Sequence, residues 1–302
     1  MGCTARTFRG SISPMRAFLA GALFAVAAAS PLVVVNTGGP VLQASRHSSK
    51  DLKLSGELAG GSVRFISRDE LEKLPQVTVT VTNDANFNGS ASISGVSLEA
   101  LLHALHVVEK NTIVAAVCDD EYEAYYPDEY REAHHPLLVL RINGKPLDQV
   151  SRTADAGVYG PYLISYPNFQ PRYHILSQEE EAEIPNGIVE LRFLKQDDVL
   201  HSIAPHGDFS TDAPETKGYR IALQNCFRCH NVGSYGGHKG GRSWSSLGKI
   251  AKNDPNYFEA YIKDPQAEDA NAQMPSYSKY DEATLHALTA YFQTFAPPKD
   301  AK

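Results

Sequence analysis

Residues 226–230 carry the most specific chemical pattern in the chain. Two residues separate Cys226 from Cys229, and His230 follows directly. A C-x-x-C-H run is the attachment pattern of a c-type haem. Each thiol can form a thioether with a haem vinyl group, and the adjacent imidazole then lies under the iron as its proximal ligand. The run therefore predicts one covalently bound haem c.

The same two cysteines also fit a zinc half-site, a redox dithiol or a pair of buried thiols. A zinc site needs two further ligands; the sequence has no second cysteine pair, although His238 could help to complete a mixed site. A thioredoxin-like dithiol follows a strand in a βαβ unit, whereas a helix-like stretch, residues 216–224, precedes these cysteines. Only 4 of the 302 residues are cysteines, so the run rarely arises by chance. Haem attachment is the favoured interpretation.

Met274 is the expected sixth ligand of the iron. A thioether opposite histidine raises the haem potential and closes the iron to small ligands. The other two methionines, Met1 and Met15, fall within a predicted export signal, and Met274 lies in a polar stretch away from any apolar stripe. A core packing role is the other interpretation of Met274. His238 is the rival ligand and would give bis-histidine ligation.

Covalent haem attachment takes place outside the bacterial cytoplasm, so an export signal is expected. Residues 1–29 have a basic start, an apolar stretch over residues 17–26 and an A-x-A pattern that ends at Ala29. Cleavage after Ala29 is expected, and it would leave a periplasmic protein without an integral membrane span. An uncleaved anchor facing the periplasm is the alternative, because residues 17–35 are just long enough to cross a bilayer.

The net charge and the cysteine count limit the expected partners of the protein and the expected role of Cys118. A net charge of −7 argues against nucleic acid as a partner. It suits a soluble protein that meets redox partner proteins, or a sister oxidoreductase subunit, through a local charge patch. After signal cleavage Cys118 is the one cysteine outside the C-x-x-C-H run, so no intrachain disulfide is expected. Its apolar, strand-like surroundings favour a buried structural thiol over a metal ligand.

The C-terminal part of the sequence predicts helices around the motif. A helix over residues 216–224 leads into it, and a glycine-rich loop over 233–241 has the freedom to wrap a flat cofactor. An amphipathic helix is predicted over Pro255–Lys263. Residues 281–292 predict a last helix whose apolar side chains share one face.

This part of the chain resembles class I cytochromes c. The matching features are the motif within residues 225–231, the helix that ends at residues 263–265, the Met274 loop over residues 272–275 and the closing helix around residues 285–292. The resemblance implies an all-α fold around one haem, with electron transfer as the activity. It also implies that His230 and Met274 are the axial iron ligands.

The N-terminal part has a different pattern. Residues 52–58 and 76–82 alternate between apolar and polar side chains as half-buried strands do, and further strands are predicted up to residue 194. Ser67 and Ser97 each open a short capped helix. Many strands with few helices predict a mixed-sheet α+β domain.

This N-terminal order is similar to the molybdopterin-binding domain of the sulfite oxidase family. The matching stretches are residues 74–81, 94–102 and 136–147. Working members of that family bind molybdenum through a cysteine just after the strand that matches residues 77–82, but residues 82–84 here are Thr, Asn and Asp. The family's His-Gly-x-Pro segment is also missing, and residues 151–156 stand in its place. We therefore expect a degenerate scaffold without molybdopterin.

Other polar clusters of the N-terminal part are expected to have no site of their own. His134 and His135 are predicted at a solvated helix end, and the acidic run over residues 119–123 in a loop that faces water. His103 and His106 lie at helical spacing, but no second haem anchor accompanies them. A set of tyrosines between residues 122 and 166 fits either a groove or a core-and-rim role.

Two domains are predicted: an α+β mixed-sheet molybdopterin-binding-like domain over residues 51–200 and an all-α cytochrome c domain over residues 213–302. Residues 1–29 form the signal, and residues 30–50 and 201–212 form linkers. The predicted function is single-electron transfer, with the first domain docking a partner. The alternatives are a molybdenum-dependent oxidoreductase, sulfite dehydrogenase-like, with its own haem acceptor, and a haem sensor.

Overall fold

The computed structural model describes residues 39–82, 84, 86–87, 89–152 and 158–297. The predicted export signal over residues 1–29 lies outside the described residues. These described residues form one compact unit. Every helix within the described ranges is too short or too polar to cross a bilayer.

Strands are the main regular secondary structure of the described chain up to residue 195, as the period-two patterns predicted. They are β1 Leu42–Gln43, β2 Leu52–Gly56, β3 Arg64–Ile66, β4 Val77–Val81, β5 Ala91–Ser97, β6 Thr112–Cys118, β7 Glu123–Tyr126, β8 Leu137–Ile142, β9 Lys145–Pro146, β10 Leu163–Ser165, β11 His174–Ile175, β12 Gln178–Glu179 and β13 Ile188–Lys195. Strand β10 is short, because only Leu163–Ser165 pairs with β8.

The strands form two larger sheets and one small hairpin. The first sheet has the order β1-β3-β2-β13-β6-β7, and it is mixed because β2 and β13 run parallel. The second has the order β10-β8-β5-β4, with β9 folded back on β8, and β11 pairs with β12. Asn143 and Gly144 both have positive φ, at 50° and 75°, as a type I′ hairpin turn between β8 and β9 requires. The predicted mixed α+β architecture is confirmed for this part.

Short helices lie between the strands along the chain, and a series of helices follows the last strand. They are α1 Arg68–Lys73, α2 Leu98–Ala104, α3 Asp128–His134, α4 Gln196–Ser202, α5 Pro214–Asn225, α6 Trp244–Asn253, α7 Pro255–Lys263, α8 Pro265–Glu268 and α9 Glu282–Gln293. The predicted serine caps are confirmed: Ser67 Oγ accepts from the N–H of Glu70 at 3.2 Å, and Ser97 Oγ accepts from that of Ala100 at 3.1 Å. Each cap satisfies a backbone donor that the helix itself leaves free.

Helix α6 was not predicted from the sequence. Its first turn contains two serines and its middle a glycine, and these residues favour helix only weakly. The helix forms because Ser243 caps it and because Trp244, Leu247 and Ala251 bury one face against the core. Tertiary packing here outweighs intrinsic propensity.

Strand β6 separates two hydrophobic clusters because successive side chains point to opposite faces. Val114 and Ala116 pack into a cluster with the strands of the first half. Ile113 and Ala115 pack into a second cluster with Trp244 and other side chains of the helical part. Residues on both sides of the predicted linker over 201–212 therefore share one hydrophobic cluster.

The segment that follows α5 also covers the free edge of the first sheet at β7. The N–H of Glu123 donates to the carbonyl of Arg228 at 3.0 Å, and the N–H of His238 donates to that of Glu121 at 3.0 Å. The N–H of Gly236 donates to the hydroxyl of Tyr125 at 2.6 Å. These bonds satisfy backbone groups that an edge strand otherwise exposes, and they fix the C-x-x-C-H segment against the sheet.

Candidate functional site

The C-x-x-C-H run continues directly from the end of α5. The N–H of Cys226 donates to the carbonyl of Ala222 at 2.9 Å, as in a further helical turn. The N–H of Cys229 and that of His230 both donate to the carbonyl of Cys226, at 3.1 and 2.9 Å. The two cysteines and the histidine are therefore held on one tight backbone turn, as the spacing predicted.

A cavity of about 470 Å³ opens beside this turn, and Cys226, Cys229, His230 and Met274 all line it. Its remaining walls are largely aliphatic and aromatic. They include Leu247, Ile250, Tyr257, Phe258, Tyr261, Ile262, Tyr277 and Phe292. The structure thus brings together the four side chains that the sequence singled out.

The imidazole of His230 is held in one orientation and one tautomer. Its Nδ1 lies 2.8 Å from the carbonyl oxygen of Arg242, and because a carbonyl only accepts, Nδ1 must donate. The neutral ring then carries its lone pair on Nε2. Burial lowers the pKa of His230, which favours the neutral form that binds metals.

A glycine makes room for that imidazole. A Cβ added to Gly240 would lie 2.6 Å from Cε1 and 2.7 Å from Nδ1 of His230. Any larger residue would therefore push the ring or the loop aside. The glycine-rich loop predicted over residues 233–241 does pack closely on the C-x-x-C-H run.

Burial affects both thiols of the motif. Cys226 and Cys229 form no disulfide with each other. Burial raises the pKa of Cys226 to about 12 and also raises that of Cys229. Redox-active dithiols have a lowered pKa instead. The described residues contain no cluster of three or more His, Cys, Asp or Glu side chains that suits a metal ion.

The loop that carries Met274 is tied to the helices before it. Nε2 of Gln266 donates to the carbonyl of Met274 at 3.0 Å, and the N–H of Tyr277 donates to that of Ile262 at 3.1 Å. The hydroxyl of Tyr277 donates to the carbonyl of Asn225 at 3.2 Å. These contacts hold the methionine loop next to the residue that precedes Cys226.

The rival ligand, His238, lies outside this arrangement. Its side chain is exposed, and it is not among the described residues that line the cavity. Its backbone instead donates to Glu121 across the edge of the sheet. The geometry therefore favours Met274 over His238 as the side chain available to a group in the cavity.

The positions compared with the molybdopterin-binding domain lie in the first half of the chain. Cys118 is 4% exposed at the end of β6, and burial raises the pKa of its thiol, so the expected buried structural thiol is confirmed. After β4 the carboxylate of Asp84 accepts from the hydroxyl of Ser165 at 2.5 Å, and Asn83 lies outside the described residues. So do residues 153–157, which include most of the segment that replaces the family's His-Gly-x-Pro.

Two expectations for polar residues of the first half were wrong for one residue each. His135 and residues 119–121 are exposed, as expected, but His134 and Glu123 are not. His134 is buried, with Nε2 3.1 Å from a carboxylate oxygen of Glu180 and its ring 4.5 Å from that of Phe169. Glu123 is also buried, bound to Arg192 at 2.8 Å and to the hydroxyl of Tyr125 at 2.6 Å. The partners of both residues come from distant segments, so local sequence gave no sign of them.

A second cavity, also of about 470 Å³, lies between the two parts of the chain. Its walls carry buried carboxylates, tyrosine rings and guanidinium groups. They include Glu123, Tyr130, Arg172, Tyr173, Glu180, Glu183, Arg220 and Arg228. Arg228 also lines the cavity of Cys226 and His230, so its side chain is common to both.

Comparisons with known proteins do not show a family for this chain. No family model and no curated protein matches the sequence. A crystal structure of the sulfane dehydrogenase SoxCD from Paracoccus pantotrophus aligns with a TM-score of 0.33 and 15% identity. The match covers 50% of this chain and 40% of the other, so this chain spans less than half the length of that protein. At this similarity the match carries no argument about fold or activity.

Proposed function

We propose that this protein is an exported monohaem c-type cytochrome that transfers single electrons through a covalently bound haem c. One observation carries the proposal. Cys226, Cys229, His230 and Met274 line one cavity, although the methionine is far from the motif in sequence. These are the side chains that a covalently attached, histidine- and methionine-ligated haem requires.

The residues of the cavity fit such a group. Cys226 and Cys229 would form the two thioethers, Nε2 of His230 is free to bind the iron, and Met274 would supply the sixth ligand. The volume of about 470 Å³ lies within the range of roughly 300–1,000 Å³ that is usual for ligand cavities. When bound, the haem would supply the Fe(III)/Fe(II) couple.

The side chains around these ligands would orient and enclose the haem. The hydrogen bond from His230 to the carbonyl of Arg242 orients the imidazole and keeps its proton on Nδ1, as hydrogen-bond acceptors beside metal-binding histidines do. The apolar side chains of Leu247, Phe258 and Phe292 in the cavity wall would limit the access of water to a bound haem. Both effects tune the potential of a haem through burial and ligand orientation.

The first half of the chain would dock the protein onto a redox partner or a sister oxidoreductase subunit. We propose that it is a degenerate relative of the molybdopterin-binding domain that binds no molybdenum. Residues 82–84, in the place of the family's metal-binding cysteine, contain no thiol, and Cys118 is buried in β6. The export signal over residues 1–29 would direct the protein to the periplasm, where residues 1–29 are either cleaved off or retained as an anchor.

The test is spectroscopic and elemental analysis of the protein exported together with a haem-attachment apparatus. The proposal predicts one iron and no molybdenum per chain, and an absorption spectrum that changes reversibly on one-electron reduction. Stoichiometric molybdenum would support the oxidoreductase alternative. Carbon monoxide binding at neutral pH would support the sensor alternative, and a colourless protein would overturn the proposal.

A further inference from the structure

Arg228 lies between the two cysteines of the haem motif, and its side chain reaches the first half of the chain. Its NH2 group donates to Oε1 of Glu183 at 3.0 Å and to Oδ1 of Asn225 at 2.7 Å. Its Nε donates to the carbonyl of Gln224 at 2.8 Å. The guanidinium is therefore fixed in the wall that the two cavities share.

The segment that carries Glu183 is held by tyrosines of the first half. The hydroxyls of Tyr126 and Tyr166 both donate to the carbonyl of Glu183 at 2.9 Å, and the N–H of Glu183 donates to the hydroxyl of Tyr130 at 3.0 Å. The hydroxyl of Tyr122 lies 3.3 Å from Oε2 of the carboxylate. This tyrosine cluster gives the tyrosine-rich stretch a structural role: it places one carboxylate against the haem motif.

The two charges oppose each other where water is scarce. The side chain of Glu183 is 6% exposed and that of Arg228 is 17% exposed. Charges in such surroundings interact more strongly than in water, because the effective dielectric constant is lower. A nearby cation favours the less positive, reduced iron and raises the potential, whereas a nearby carboxylate lowers it.

We propose that Glu183 is a positioning residue that compensates the charge of Arg228 in the wall of the haem cavity and so sets the haem potential. The inference rests on the proposed function, because it needs a haem in the cavity beside Cys226 and Cys229. It assigns the first half of the chain a role in tuning the redox centre, in addition to docking a partner.

The same pair should make the potential depend on pH. The charged or titratable groups that face Glu183 are Arg228 and Cys229 from the haem motif, Glu181 from its own segment, Tyr173, and the tyrosines 122, 126, 130 and 166. Burial raises the pKa of Glu183, and Arg228 opposes the shift. Burial raises the pKa of each of these tyrosines, so they stay neutral. Protonation of Glu183 removes a negative charge, so the potential should fall as pH rises through its titration.

The experiment compares the midpoint potentials of the full-length, haem-loaded wild type, Glu183→Gln, Arg228→Gln and the double variant. Glu183→Gln should raise the potential and weaken its pH dependence, because Arg228 is left uncompensated. Arg228→Gln should lower the potential. The double variant should lie close to the wild type. Glu181→Gln is the matched control: its carboxylate lies 3.6 Å from the same guanidinium but is 50% exposed, so water screens it and its shift should be small.

Each outcome of this experiment either supports or overturns the inference. Opposite shifts of the two single variants support the inference, and shifts in the same direction overturn it, because they indicate a structural disturbance. If Arg228→Gln does not load haem, the midpoint potential of Glu183→Gln compared with that of Glu181→Gln still tests the inference. A wild type that carries haem but whose potential does not respond to Glu183→Gln overturns this inference alone. A wild type without haem overturns the proposed function as well.

Discussion

The two cavities of this protein have the same volume, about 470 Å³, and share Arg228, yet their walls differ in chemistry. In the first, two thiols, an imidazole and a thioether face an apolar space. In the second, the buried carboxylates are already bound to neighbours: Glu123 to Arg192, Glu180 to His134 and Glu183 to Arg228. Volume therefore does not distinguish them. The lining side chains do: among the described residues, Cys226, Cys229, His230 and Met274 line only the first cavity.

The largest effect is expected from removing the thiols of the first cavity. Cys226→Ser together with Cys229→Ser should abolish covalent haem attachment, because no thioether can form. Cys118→Ala is the matched control, since that thiol is buried in β6, and it should leave attachment intact. Haem absorption that remains with the polypeptide after denaturation is the measurement. Attached haem in the double variant would contradict the assignment.

The second prediction separates the two candidate sixth ligands. Met274→Ala should abolish the weak near-infrared charge-transfer band that an oxidised histidine–methionine haem shows, and it should lower the potential. His238→Ala should leave both unchanged, because its exposed side chain does not line the cavity within the described residues. A band that survives in Met274→Ala would show that the ligand assignment is wrong.

A third prediction concerns the core that joins the two parts of the chain. Ile113 is fully buried in β6 and packs with the helical part. Ile113→Ala should reduce the free energy of unfolding by about 2–5 kcal/mol, and Ile113→Val by about 1 kcal/mol. Chemical denaturation followed by circular dichroism and by haem absorption would measure both.

Because the cluster spans both parts, the two signals should shift together in the Ile113 variants. Val114→Ala is the comparison, since Val114 is equally buried but faces the cluster of the first half. Separate transitions, with only one affected by Ile113→Ala, would argue that the two parts unfold independently.

The smallest effects are expected at helix caps, one in each part. Ser243 caps α6 and Ser97 caps α2, each through its hydroxyl. Replacing either serine by alanine should cost about 1 kcal/mol of stability, because one backbone N–H loses its partner. Equilibrium denaturation would detect the change. Lys249→Ala serves as the control for α6, because Lys249 is exposed and inside the helix. A control that costs as much as Ser243→Ala would argue against the cap.

Local features of the fold were predictable from sequence, and features that depend on distant partners were not. The caps at Ser67 and Ser97 follow from short-range patterns, and helix α7 has the predicted bounds, Pro255–Lys263. The burial of His134 and Glu123 does not follow from such patterns, because their partners, Glu180 and Arg192, lie 46 and 69 residues away in the chain.

The candidate site divides in the same way. The C-x-x-C-H spacing predicts the turn that holds Cys226, Cys229 and His230. The scarcity of methionine pointed to Met274, and the cavity places it with them. The Glu183–Arg228 pair required the structure, because no local pattern links residue 183 to the haem motif. Residue spacing and periodicity do not reveal charge pairs between distant segments.

The most direct test of the central claim is the mass of the wild-type protein, exported with a working haem-attachment apparatus and then denatured. The account predicts that the polypeptide keeps the mass of one haem, carried by the peptide that contains Cys226 and Cys229. A polypeptide without added mass, in which both of these thiols react with an alkylating reagent, would contradict it.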